Sequence, residues 1–172
     1  MRAFSQIAQR FEDAHLVLAG PDYEGFGRVL VEMLRGCGLT NRVTFSGLLS
    51  EADKIAALAD ADVLVLPSYT EAFGIALLEG MASGLPVVVT DRAALASVIH
   101  DAGAGLVVPA DDKSLAEALS LLLADAGLRR VLGRRGRQLV ETRFSWAQSA
   151  RAFARLYEGL ATKRGLEGRT AS

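Results

Sequence analysis

Ala61-Asp62-Val63-Leu64-Val65-Leu66-Pro67-Ser68-Tyr69-Thr70-Glu71-Ala72-Phe73-Gly74-Ile75-Ala76-Leu77-Leu78-Glu79 is the stretch on which the fold turns. It opens with an almost unbroken apolar run, stopped by proline. That pattern predicts a strand over Asp62 to Pro67, buried on both faces as in a parallel sheet. A polar loop follows, then a helix expected from about Gly74 to Ser83. A strand that hands over to a helix in this way begins a β-α-β unit.

The same alternation continues in both directions. Upstream, His15 to Gly20 reads as a strand stopped by glycine. Phe26, Val29, Leu30, Met33 and Leu34 fall at i, i+3, i+4, i+7 and i+8, an amphipathic helix that Gly36 and Gly38 end. Val43 to Ser46 is a second strand, and Glu51 to Leu58 a short helix with Ser50 placed to cap it. Downstream come a strand at Pro86 to Thr90, a helix near Ala93 to His100, a strand at Gly105 to Val108 and helices at Ser114 to Ala124 and Leu128 to Glu141. Ser145-Trp146-Ala147-Gln148 fits a capping box and opens a last helix, with Trp146, Ala150, Phe153, Leu156, Tyr157 and Leu160 as its apolar stripe. Alternating strands and helices predict an α/β fold, a doubly wound parallel sheet with helices on both faces. No repeat or linker interrupts it, so one domain is expected over residues 1–163, with 164–172 a disordered tail that has nothing to bury.

Composition narrows the function classes. Of 172 residues 51% are hydrophobic and 23% charged, ordinary globular values, and nineteen Lys and Arg nearly balance twenty Asp and Glu. That balance gives no bulk electrostatic reason to expect nucleic acid or an anionic membrane. The arginines of 129–137 alternate with Leu128, Val131, Leu132 and Leu139, the pattern of a solvated helix face. Cys37 is the only cysteine, which rules out an intrachain disulfide; it is expected as buried packing, in a reducing cytoplasm. Residues 1–7 lack the apolar run of a signal peptide, and no stretch approaches a membrane span. His15 and His100 stand far apart without ligand-spaced partners, so no metal site is expected.

The chemistry is expected at the handover after Pro67, because ligands of such folds sit beyond the carboxyl ends of the strands. Glu71 lies in the loop and Glu79 inside the helix. Between them the amides of Phe73, Gly74 and Ile75 open the helix, where free N–H groups and the dipole favour an anion such as a diphosphate. From Gly74 to Glu79 the helix rises about 7–8 Å, the scale of a diphosphate. A carboxylate beside a phosphate is repelled unless it faces hydroxyls, and a nucleotide sugar offers hydroxyls on both sides. Taken singly, Glu71 reads as an ordinary acidic residue near a helix start. Glu79 has apolar neighbours in Leu77, Leu78 and Met81, so its carboxylate requires a partner.

Glu71-x7-Glu79 with Phe73-Gly74 inside it and Gly84-Leu85-Pro86-Val87-Val88 after it resembles the family-4 (group 1) retaining glycosyltransferases of GT-B fold. Leu16-Val17-Leu18-Ala19-Gly20-Pro21, Arg42-Val43-x-Phe45-x-Gly47, Ala61-Asp62-Val63 and Phe144-Ser145-Trp146 extend the likeness from about Ala3 to Leu160. The resemblance implies a Rossmann-like C-terminal, donor-binding domain. Glu71 would contact the donor sugar and serve catalysis. Phe73, Gly74 and Ile75 would present amides to the diphosphate, and Glu79 would hold the ribose hydroxyls. The loop of Gly47 and Leu48 would cradle the base. The reaction would move a hexose from a UDP- or GDP-linked donor to a glycan, lipid or small-molecule acceptor. It would retain anomeric configuration without metal or cofactor, stabilising charge on the leaving diphosphate.

The resemblance also marks what this chain does not present. A strand ending in Gly-Arg, the lysine after it, and the acceptor domain all precede the likeness in the family. Arg2 falls too late to be that arginine. The absent strand is the family's central one, so the strands at His15 and Asp62 would each lose a neighbour unless they pair with one another. Ala93-Ala94 and Ser97 replace a glycine pair and glutamate. Transfer by this chain alone is therefore not expected, and a partner chain supplying the acceptor half is one way to complete it. The alternative is a non-catalytic nucleotide-sugar-binding module or a subunit of a split enzyme. A signalling receiver domain fits poorly, because Pro67-Ser68 stands where its acceptor aspartate belongs.

Overall fold

Val87-Val88-Val89-Thr90 is a four-residue β-branched run, and its side chains are fully buried. It is the middle strand of the larger of two sheets. In this computed structural model residues 1–22 and 25–167 are described. The elements are α1 (Arg2–Ile7), β1 (Leu16–Ala19), α2 (Gly27–Gly36), β2 (Val43–Gly47), α3 (Glu51–Asp60), β3 (Leu64–Leu66), α4 (Ile75–Ala82), β4 (Val87–Thr90), α5 (Ala96–Asp101), β5 (Gly105–Val108), α6 (Asp112–Ala124), α7 (Ala126–Arg143) and α8 (Trp146–Glu167). All strand pairs are parallel. This is the α/β alternation expected from the sequence.

The sheet is split. Among the described residues β1 pairs only with β2, and β3, β4 and β5 form a separate sheet in that order. β1 and β3 do not pair with one another, so each has one edge without a partner among the described residues. The strand expected over Asp62 to Pro67 is accordingly shorter, Leu64–Leu66, and half-buried rather than enclosed. Its alternation is nonetheless that of a two-faced strand. Leu64 and Leu66 pack against the cluster of Leu77, Met81, Val87 and Ile99, while Val63 and Val65 join Val88, Leu122 and Leu132 on the other face. Its place at the edge of the sheet leaves it accessible.

Helix α6 spans the break. Leu115 and Leu119 pack both against the cluster of Phe4, Ile7 and Val43 and against that of Val88 and Leu122. Arg42 fastens the smaller unit: its guanidinium donates to the carbonyl oxygens of Ala8 (2.7 Å), Ala14 (2.7 and 3.1 Å) and Phe11, and lies over the Phe4 ring. These carbonyls line the turn between α1 and β1, so one side chain satisfies backbone that no ladder reaches.

Several boundaries shift because local capping decides them. Asp111 and Asp125 accept from the amides of Ser114 and Leu128 and start α6 and α7 earlier than periodicity suggested. The Ser114 amide, and then its hydroxyl, hold the Asp111 carboxyl below the usual carboxylate range. Ser145 caps α8 through the Gln148 amide, but the Gln148 side chain turns back to the Thr142 carbonyl rather than closing a capping box. α8 runs to Glu167, so the tail expected from 164 begins as helix; residues 168–172 lie outside the described residues. Cys37 is exposed, not buried. It sits at the C-cap of α2, whose buried side is confined to Leu34.

Helix α7 lies close to its neighbours at two glycines, Gly133 against the turn into β4 and Gly136 against Met81 of α4. A Cβ at Gly133 would run into the Gly84 carbonyl, backbone that cannot move aside without unmaking the turn into β4. Gly133→Ala is expected to lower stability by roughly 1–3 kcal/mol in urea unfolding. Gly159→Ala in α8, where a Cβ meets nothing, should be neutral or mildly stabilising. Equal effects at the two positions would refute the close approach.

Candidate functional site

The loop from Pro67 to Gly74 leaves β3 and is fastened to the end of β4 at two points. Thr90, the one buried polar residue among those described, donates its hydroxyl to the Ser68 carbonyl. Further along, the Ala94 amide donates to the Glu71 carbonyl at 3.1 Å, and Glu71 and Ala93 form a parallel bridge. The loop is thus an extra half-turn of sheet, set at the carboxyl ends of the parallel strands.

Gly74 closes the loop with φ +78° and caps α4. Added bulk at this position would meet Leu77 and Glu71, so glycine serves both the left-handed backbone and the close packing. The amides expected to be free are partly engaged. Glu71 Oε1 accepts from Gly74 N at 3.0 Å and from Phe73 N at 3.3 Å. The carboxylate occupies the helix terminus from inside, where an external anion would bind. For the Ile75 and Ala76 amides no partner is present among the described residues. Phe73 and Ile75 expose their side chains beside this terminus.

Glu79 lies one turn further on. Leu77 and Met81 on either side of it are fully buried, and Glu79 itself is half-buried. The partner its position demanded is Lys54 of α3, whose Nζ sits 2.5 Å from Oε1. The hydrogen bond to Glu79 raises the Lys54 pKa above the ordinary lysine value. Nothing in the local sequence flagged Lys54; the pair forms between residues 25 positions apart, on helices that follow different sheets.

Gly47 ends β2 in a left-handed turn, φ +64°, and its carbonyl accepts from Gly20 N at 2.9 Å. Leu48 projects into solvent. Ser50 then caps α3 through the Asp53 amide, as expected. Gly47 and Leu48 therefore sit at the carboxyl end of β2, as Glu71, Phe73, Gly74 and Ile75 sit at that of β3, and α3 with Lys54 joins the first group to Glu79. Among the described residues no group of His, Cys, Asp and Glu is placed to hold a metal ion.

With this geometry in view the comparisons are specific. Residues 1–139 match the family described as glycosyl transferases group 1. The chain belongs to that family. A phosphatidyl-myo-inositol mannosyltransferase of Mycobacterium leprae is 37% identical over 164 residues, covering 93% of this chain and 42% of the relative. A D-inositol 3-phosphate glycosyltransferase of Salinispora tropica is 35% identical over 83% of this chain and 30% of its own length. Among solved structures, sucrose-phosphate synthase from Thermosynechococcus elongatus is 30% identical with a TM-score of 0.81, covering 94% of this chain and 42% of that one. Anabaena Alr3699/HepE in complex with UDP, 20% identical, shares the fold at a TM-score of 0.81 over 91% and 43% of the two chains. This group 1 chain thus spans less than half the length of these relatives. No helix among its described residues is long and apolar enough to cross a membrane.

If Glu71 fills the helix terminus in solution, removing its carboxylate opens the Phe73 and Gly74 amides to an outside anion. Glu71→Ala should bind inorganic pyrophosphate severalfold more tightly than the parent chain by calorimetry. Unchanged or weaker binding would show that the internal cap does not compete.

Proposed function

We propose that residues 1–163 form the nucleotide-sugar-binding domain of a retaining hexosyltransferase. The observation that carries this reading is the pair Glu71 and Glu79 flanking the start of α4, with the Ile75 and Ala76 amides open between them. A diphosphate at that terminus gains from the amides and the helix dipole. The carboxylates then face the hydroxyl-bearing groups on its two sides: Glu79 the ribose, Glu71 the sugar. Leu48 and Gly47 border the base. That Alr3699/HepE is solved with UDP and with UDP-glucose supports a uridine-linked donor as the first to test; GDP-linked hexoses are the second.

Donor binding on this reading is a replacement of one anion by another. The diphosphate takes the amides of Phe73 and Gly74, and the displaced Glu71 carboxylate turns to the sugar. As the anomeric bond breaks, negative charge grows on the diphosphate, where the α4 amides are already aimed. No protein nucleophile and no metal enter this scheme. The acceptor, a glycan, lipid or small molecule, would be held by a second domain of the kind that the longer relatives have room for. That domain could belong to the same protein or to a partner chain. Transfer by residues 1–172 alone is not expected, and a cytoplasmic setting suits the donor.

Glu79→Ala is expected to weaken UDP-glucose or GDP-mannose binding by about 1.5–3 kcal/mol, roughly ten- to a hundredfold, as for lost hydrogen bonds to a charged group. Calorimetry on the parent and altered chains decides the matter. Equal affinities would remove Glu79 from the site.

A further inference from the structure

We propose that Lys54 is a positioning residue for Glu79, and through it sets how strongly the site prefers a nucleotide that carries ribose hydroxyls. The inference rests on the ribose role given to Glu79 above. Lys54 Nζ approaches a single oxygen, Oε1, at 2.5 Å. A carboxylate has acceptor capacity on both oxygens. With Oε1 held, Oε2 is left to accept from the neighbouring hydroxyls of a ribose. The side chain of a glutamate on a helix surface otherwise samples several rotamers, and a carboxylate fixed in advance loses less freedom when ligand binds.

The position of Lys54 gives the contact its reach. α3 begins two residues after the Gly47–Leu49 turn, bordering the base, and α4 begins at the diphosphate terminus. These helices follow strands of the two different sheets. Lys54–Glu79 is therefore a direct polar tie across the split, made at the end of the strands where a nucleotide would lie. A solvated ion pair serving only stability would contribute little, and would have no reason to distinguish one ligand from another.

The test compares UDP with 2′,3′-dideoxy-UDP by calorimetry, and GDP with its dideoxy form if the parent chain prefers guanine. Parent, Lys54→Met, Lys54→Gln and Lys54→Arg chains are titrated with both ligands. The parent should favour the ribonucleotide at least tenfold. Lys54→Met and Lys54→Gln should cut that preference to threefold or less while binding the dideoxy ligand within twofold of the parent, which also reports that they fold. Lys54→Arg should keep most of the preference. Full preference in both uncharged variants would overturn this assignment and leave the ribose role of Glu79 standing. Absence of any preference in the parent would overturn both.

Discussion

The hydrogen-bond ladder around β4 is the constraint on which the site depends. Backbone groups buried on both faces and both edges must be paired, and β4 meets that requirement with β3 on one side and β5 on the other. Its last residue, Thr90, is buried and carries a hydroxyl that needs an acceptor. The Ser68 carbonyl is that acceptor. One satisfied polar group thereby fixes where the loop after β3 runs, and with it Glu71, Gly74 and the first turn of α4. The core thus fixes the course of the loop, and the loop places the residues of the candidate site.

The split between β1 and β3 is the counterpart of that order. The larger sheet has its middle strand enclosed; the smaller has two strands only, a size that is marginal without support. Its support comes from outside the ladder. α6 packs Leu115 and Leu119 against both units, and Arg42 collects the carbonyls of Ala8, Phe11 and Ala14. Val17 and Phe45 remain exposed all the same, as do Phe26 and Val29 of α2 and the Trp146, Phe153 and Tyr157 stripe of α8. Exposed apolar side chains on this scale mark surface suited to contact with a partner or ligand.

Most of the fold was legible because hydrophobic period survives in each element. The run at Pro86 to Thr90 read as a strand, and the i, i+3, i+4 spacing from Phe26 to Leu34 as a helix, as both are found. What periodicity could not give was the termini, which depend on Asp111 and Asp125 capping amides three residues on, and the exposure of β3, which depends on a neighbour rather than on its own residues. Cys37 failed for a related reason: burial of a small residue at a helix end follows the turn after it, not its own polarity. In the site, residues close in sequence were legible. Glu71, Gly74 and Glu79 share one loop and helix, so spacing placed them together. Lys54 and Thr90 reach the site through tertiary contacts, and no local pattern announces them. The plain reading of Glu71, an acidic residue that a helix start favours, is also what the structure shows, since its carboxylate accepts from the Phe73 and Gly74 amides.

Amide chemical shifts recorded while UDP is titrated into the chain test the central claim most directly. If the nucleotide binds where the strands of the two sheets end, the largest changes fall on Leu48, Phe73, Gly74, Ile75 and Ala76. Changes centred on the groove that Gln6, Arg10, Glu117 and Leu121 line between α1 and α6, or none at millimolar UDP and none with GDP, would contradict it.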